Sequence, residues 1–495
     1  MGNRLKPMVT GGFLLLPLLF FNAESSHASP DQADGLKPGS PGSAGMVEQE
    51  LNDIDDLIQQ GIDDRVTPGA VVLTAKNGMI AKEDAYGEVA RYLDDDFTEM
   101  NNPVDMQTDT IFDVASITKV FTAISAMQLY ENGEFDLDDQ VANYIPEFNE
   151  GDKSEITIRH LITHTSGFED WVPLYTEADS REEAYDIVFS SELTHEPGSD
   201  YVYSDLNMIS LAAVIEQITG ERLDEYIEKN ITEPLGMDDT MFNPPESLQE
   251  RTAATEYQPD VERGLVWGEV HDENAWVMDG VSGHAGLFST ARDLAVFAQT
   301  FLNEGEYGEE RILQPETVEK IGTNQLPDSL DDTHGLGWEL DQAWYMGDLS
   351  ESETIGHTGF TGTSVVINPN EQMMAILLTN RVHPTRKGAS PNEIREHVAD
   401  QTAAAIDAWD ASHMKSLVED LDAEGEFSNE EAFQHLHTHL TAVHYYENQE
   451  EAEKVITHME GFQDLIDDQL NNEVISKDAF NILRAQSEDL IETWE

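Results

Sequence analysis

No cysteine occurs anywhere in the 495 residues, which excludes disulfide staples, thiol nucleophiles and thiolate zinc sites. Basic residues are scarce too: 26 Lys and Arg stand against 99 Asp and Glu, a formal net charge of -73. A surface of that sign repels phosphate backbones and anionic headgroups, so nucleic acid is not an expected partner and neither is a membrane surface. The acidic excess runs through the whole chain, and it is best tolerated where the screening length falls to roughly 3 Å, at molar salt; a halophilic or salt-tolerant source is expected. Long apolar runs are missing as well. The most hydrophobic stretch, Phe13 to Phe21, is too short to span a bilayer comfortably. With Arg4 and Lys6 before it and Ser26-His27-Ala28 after it, residues 1–28 read as a secretory signal peptide, giving a secreted protein without a stable membrane anchor.

A chain of this length exceeds one ordinary domain. Residues 29–45 are rich in Pro, Gly and Ser without apolar periodicity, the composition of a flexible linker. The β-branched run from Ala70 meets Asn77-Gly78 and then Met79-Ile80, a hairpin signal, and a second antiparallel pair flanks Pro369-Asn370-Glu371. Strands from both ends of one unit with helical patterns between them predict an α+β domain over 46–408: an antiparallel sheet flanked by helices, with a mostly helical insertion. Strand signals then stop, and residues 411–495 predict a small all-α bundle. One stripe is Leu436, Leu440 and Val443; another is Val455, Ile456, Met459, Phe462 and Ile466.

Three widely separated stretches carry chemistry. Ser116 and Lys119 are three apart at the start of a predicted helix ending near Gly133, hence on one face. A lysine among Val120, Phe121 and Ile124 should shed its charge through burial and accept the serine proton, while the helix N-terminus favours the developing anion. Tyr203 stands on a loop just before another helix, a second candidate base, with Ser204 or Asp205 as that helix's cap. Gly356-His357-Thr358-Gly359-Phe360 runs into a strand whose edge a substrate could follow, and the Phe360 and Ser116 N–H groups could hold an oxyanion.

Ser-Ile-Thr-Lys at 116–119, Tyr-Ser-Asp at 203–205 and His-Thr-Gly at 357–359, in that order, resemble the three motifs of class C beta-lactamases and the related DD-peptidases and esterases. The stretches 161–167, 233–237 and 283–297 are similar to segments family members carry around the cleft, and the resemblance covers roughly residues 48–405. It implies a beta-lactamase/transpeptidase-like fold without a cofactor, in which Ser116 is acylated, Lys119 and Tyr203 transfer protons, and His357 occupies the lysine position of the third motif. Beta-lactamases of this type carry Asn where Asp205 stands; the acid should instead attract a substrate ammonium or N–H, and Thr358, Gly359 and Phe360 should line the substrate. From about Ser412 the chain resembles the FIMAH-type module of secreted enzymes, a candidate cell-wall contact.

The histidines His435, His437, His439, His444 and His458 include a pair four apart, which is metal-ligand spacing, but without a carboxylate-bracketed motif they read as surface residues, and no metal site is expected. His271 to Asn274 read as a polar loop, and His164 and His284 as residues ordering loops near the cleft. The expected activity is two-step acyl transfer on small amides or esters, including D-amino-acid peptides. The alternative is a penicillin- or cell-wall-binding protein with negligible turnover.

Overall fold

The computed structural model describes residues 35–327, 329–330 and 332–494, so the expected signal peptide and residues 29–34 lie outside the described residues. Strand β1 (Lys37–Pro38) precedes helix α1 (Glu48–Asp63), and β2 (Gly69–Lys76) and β3 (Met79–Tyr92) form the first hairpin. Its turn residues Asn77 and Gly78 have φ of 52° and 73°, the left-handed pair that a two-residue hairpin turn requires. After β4 (Glu99–Asp105) comes the helical insertion, containing α2 (Thr118–Glu131), α3 (Asp205–Thr219) and α4 (Ala291–Leu302). The chain then returns with β5 (Glu339–Leu340), β6 (Ile355–Thr358), β7 (Ser364–Asn368), β8 (Met373–Thr379) and helix α5 (Asn392–Asp407).

The sheet runs β1-β3-β2-β8-β7-β6-β5, with β4 beside β3. Its middle pair joins the two ends of the domain: β2 lies antiparallel to β8, Ala70 opposite Thr379 and Lys76 opposite Met373. Side chains alternate across β2 as the pleat demands. Ala70 and Val72 pack with Ile54, Ile58 and Ile394 of α1 and α5, whereas Val71, Leu73 and Ala75 face the insertion. Every residue of α2 from Thr118 to Leu129 is buried, so this is a core helix rather than a surface one. Phe121 stacks on Phe297 of α4 at 4.1 Å between ring centroids. The sheet and α2 thus make a rigid floor under Ser116.

The segment expected to be a flexible linker is part of the folded body from Gly35 onward. β1 pairs in parallel with β3, Lys37 opposite Met79, the Leu36 N–H donates to the Tyr307 hydroxyl at 3.1 Å, and Ser43 and Ala44 are buried. Its glycines serve geometry rather than mobility: Gly45 sits at φ 70°, packed so closely that a Cβ there would lie 1.9 Å from Gln486 Oε1. Backbone pairing, which leaves no apolar periodicity, holds this stretch.

Beyond residue 408 four helices, α6 (Ala411–Glu424), α7 (Glu430–Glu447), α8 (Ala452–Asn471) and α9 (Lys477–Trp494), enclose a separate core. Asp410 and Asn429 cap the first two through side-chain oxygens, and Gly425 ends α6 at φ 88°. Both expected stripes point inward, save that Ile456 is only partly covered. The bundle meets the preceding α+β domain through the 41–47 segment and β2: Gln486 Nε2 donates to the Ser43 carbonyl at 3.1 Å, and Lys76 pairs with Asp489. Among the described residues no helix is long and apolar enough to cross a membrane.

Candidate active site

Ser116 lies in a tight turn that feeds directly into α2. The residue before it, Ala115, has φ 47°, a conformation that costs a non-glycine residue free energy and must be held by its surroundings. The Ala115 N–H donates to Asp113 Oδ1 at 2.9 Å, and the other oxygen of this buried carboxylate accepts from the His271 N–H at 2.7 Å. Thr361 and Thr363 tie the same stretch to the end of β6, donating to the carbonyls of Asp113 and Val114. Gly359 has to be glycine because a Cβ there would stand 2.1 Å from Thr363 Oγ1 and 2.4 Å from the Val114 carbonyl. The His357-Thr358-Gly359 stretch and the Ser116 turn are therefore one packed unit.

Lys119 Nζ lies 2.9 Å from Ser116 Oγ, 2.8 Å from Asp205 Oδ1 and 3.3 Å from the His284 carbonyl. It also sits 4.7 Å from the centre of the Tyr203 ring. The three expected groups are together. Their ionisation differs from expectation, however. Burial pulls the Lys119 pKa down, but Asp205 and then Tyr203 outweigh it and hold the ammonium above the ordinary lysine value. Asp205 is neither the helix cap nor a free acceptor for substrate: Ser204 caps α3 by accepting from the Leu206 N–H, and Asp205 spends its charge on Lys119. Burial raises the Tyr203 pKa more than Lys119 lowers it, so the phenol is a neutral proton donor near pH 7.

His357 takes the opposite course. Its Nδ1 bonds the Thr358 carbonyl at 2.8 Å, its Nε2 has no hydrogen-bond partner, and burial, reinforced by the Lys119 charge, pushes its pKa down to about 3. It is a neutral imidazole, unlike a lysine in the same place. His164 accepts from the Ser204 N–H at 3.1 Å and lies against Tyr203, ring centres 4.7 Å apart, so it does order the Tyr203 loop. His284 pairs with Asp272 at 2.9 Å beneath Lys119. His271 and Asn274 are tied into this neighbourhood, His271 to Glu256 at 3.0 Å and Asn274 to the Val172 carbonyl at 2.8 Å.

A cleft of about 270 Å³ opens over Ser116, walled by Tyr203, Thr358, Gly359 and Phe360 and also by Glu339, Arg381 and Arg395. Phe360 is half exposed, its ring under the Arg381 guanidinium at 4.7 Å. The last three residues have no motif in the sequence to announce them. Glu339 is a β5 residue whose carboxyl burial raises to about 7. Arg395, on α5, donates to the carbonyls of Gly359 and Thr363 at 2.7 and 2.9 Å, and Arg381 donates to those of Phe360 and Arg386. Among the described residues neither arginine is ion-paired to a carboxylate within 4.0 Å. Contact of Arg395 with a loop distant in sequence cannot be read from local periodicity.

Residues 54–400 match the family model described as Beta-lactamase. The chain belongs to the beta-lactamase family. Residues 411–492 match the FIMAH domain. A protein of Escherichia coli strain K12 with the name "Putative D-alanyl-D-alanine carboxypeptidase" is 35% identical over 394 residues, covering 73% of this chain and 89% of that one. One of the same name from Salmonella typhimurium is 35% identical over 380 residues, covering 70% and 86%. Among solved structures, EstCE1, a hydrolase with promiscuous acyltransferase activity, aligns with a TM-score of 0.57 at 23% identity over 72% of this chain and 98% of that one. A class C beta-lactamase aligns with a TM-score of 0.57 at 20% identity, covering 71% and 96%. The α+β fold with its helical insertion is thus that of the beta-lactamase family, and the chain is a hydrolase of that family followed by a FIMAH bundle.

Proposed function

We propose that this chain is a secreted serine acyl-transfer enzyme of the DD-carboxypeptidase kind, cleaving the last residue from short peptides that end in a free carboxylate. The observation that carries the substrate class is the pair Arg381 and Arg395 in the cleft wall. Their donors go to backbone carbonyls and to the Asn392 amide oxygen, which leaves both without a direct ion-pair partner among the described residues, Glu256 and Glu339 acting on them only at longer range. A peptide carboxylate supplies the missing partner. The names borne by the curated relatives agree with this reading.

In the mechanism Ser116 Oγ attacks the scissile carbonyl while its proton passes to Lys119. Asp205 holds the ammonium, so only molecules whose Lys119 has released that proton can react, and the rate should climb with pH. The Ser116 and Phe360 N–H groups receive the oxyanion. The neutral Tyr203 phenol donates to the leaving nitrogen, and water then releases the acyl group from Ser116 by the reverse sequence. His357 stays uncharged and shapes the strand edge with Thr358 and Gly359. The acidic surface suits work in strong salt, where screening removes its self-repulsion.

The test pairs a fluorescent penicillin with a peptide ending in D-alanyl-D-alanine. Covalent label and D-alanine release are expected from the native chain and neither from Ser116→Ala, with turnover down by about 10⁴-fold or more. Turnover surviving Ser116→Ala would end the proposal. Label without sustained release identifies the binding-protein alternative, and rapid turnover of a p-nitrophenyl ester but not the peptide identifies an esterase.

A further inference from the structure

Where the bundle leaves the catalytic unit, four side chains gather that the cleft does not use. Asp410 caps α6 and Glu447 closes α7; His413 lies three residues after the first and His444 three before the second. Nδ1 of His444 stands 3.5 Å from Glu447 Oε2 and 3.9 Å from Asp410 Oδ2. One ligating atom from each of Asp410, His444 and Glu447 lies within 4.8 Å of the other two. On the outer side His413 Nδ1 is 2.7 Å from Asp410 Oδ1.

Charge distinguishes this group from an ordinary helix cap. The Glu447 side chain is only 8% exposed, and the Ala411 N–H donates to it at 3.1 Å. Among the described residues, the ion pairs of both carboxylates run only to His413 and His444; no Lys or Arg reaches either. A buried carboxylate such as that of Glu447 is matched by a cation or a metal, whereas Asp410 is 40% exposed; neutral imidazoles bring lone pairs but no charge. His444 Nδ1 itself is shielded from solvent, while 43% of the side chain is exposed and Nε2 lies 3.0 Å from the Asn448 amide nitrogen.

We propose that Asp410, His444 and Glu447 bind one divalent transition-metal ion of the zinc type, with the His413 N–H holding the Asp410 carboxylate in place. Ligands about 2.0–2.1 Å from a tetrahedral metal stand roughly 3.3 Å apart, so small side-chain rotations bring the observed 3.5 and 3.9 Å into range. One imidazole with two carboxylates favours such an ion over calcium, which takes oxygen ligands alone. The ion fastens the start of α6 to the end of α7, at the root of the bundle. The pair four apart, His435 and His439, is not this site: His435 is exposed beside Glu431, and His439 bonds the His458 carbonyl at 2.6 Å.

The experiment is calorimetric titration of the chelator-stripped full chain with zinc chloride in buffered salt. One tight equivalent is expected, weakened about tenfold or more in His444→Ala and in Glu447→Gln. It should be unchanged in His435→Ala and in Asp272→Asn, which alters the acid group under Lys119. No tight equivalent, or one indifferent to both cluster variants, overturns the proposal. X-ray absorption at the zinc edge of the unmutated chain needs no variant to fold: a shell of nitrogen and oxygen with imidazole scattering is expected, and an oxygen-only shell would also overturn it.

Discussion

The floor and the outer wall of the cleft both bring positive charge close to Ser116, and they treat it in opposite ways. On the floor, Lys119 is fully buried yet charged because Asp205 stands 2.8 Å away. On the wall, among the described residues, Arg381 and Arg395 have no carboxylate within 4.0 Å, and burial lowers both pKa values, that of Arg395 to about 10, more than the more distant Glu256 and Glu339 raise them. Burial is common to both; the difference lies in the partner. In the proposed mechanism the charge answered inside the protein serves proton transfer, whereas charge without a direct carboxylate partner is available to a ligand. His357 marks the limit of the second case, being stripped of charge altogether.

Removing the floor's amine should have the largest consequence. Lys119→Met deletes the proposed proton acceptor and leaves Asp205 without this partner, and kcat/KM should fall about 10³-fold while the Phe121–Phe297 packing beneath is kept. Steady-state kinetics on peptide and ester substrates checks this, and a loss under about tenfold would show that another group takes the Ser116 proton.

Next in size, Arg395→Met removes one unanswered charge from the wall. A charged hydrogen-bonded contact contributes about 1.5–3 kcal/mol, so KM for a carboxylate-ended peptide should rise roughly tenfold to a hundredfold. An ester lacking the carboxylate should be unaffected; equal losses on both would mean that Arg395 only braces Gly359 and Thr363, to whose carbonyls it donates.

The comparison between floor and wall is sharpened by pH. Asp205 is the largest influence raising the Lys119 pKa, so with Asp205→Asn the amine becomes free at lower pH. The rising limb of kcat/KM should move toward acid by about 1–3 units. An unmoved limb, or one moved toward alkali, contradicts the role assigned to the pair. His357 should add no limb between pH 5 and 8, because its pKa near 3 leaves it neutral throughout that range.

How much of this the sequence disclosed follows from the range of the forces involved. The hairpin at Asn77-Gly78, the core stripes of α7 and α8 and the convergence of Ser116, Lys119 and Tyr203 are set by local pattern or by a family's motif spacing, and all were legible. The charge on Lys119 was not, since apolar neighbours along α2 argue for a neutral amine while the decisive carboxylate arrives from α3, 86 positions away by residue number (205 − 119). The folding of residues 35–45 was hidden likewise, because β1 is held by backbone bonds to β3 that leave no side-chain signature. Glu339 reaches the cleft through sheet order and Arg395 through the packing of α5, neither of which a local pattern records.

The smallest effect is expected far from the cleft, at the seam between the catalytic unit and the bundle. Lys76, with 3% of its side chain exposed, pairs with Asp489, of which 28% is exposed. A pair so open on one side contributes little, and Asp489→Asn keeps a polar group near Lys76, so the cost should be about 1 kcal/mol or less. Leu440→Ala in the bundle's own core should cost about 2–5 kcal/mol by comparison. Thermal unfolding of both variants, read by tryptophan fluorescence, tests the ranking. If Asp489→Asn proved the more damaging, the seam rather than the core of α6 to α9 would be what keeps the bundle folded, because an unpaired Lys76 would then be trapped where water cannot reach it.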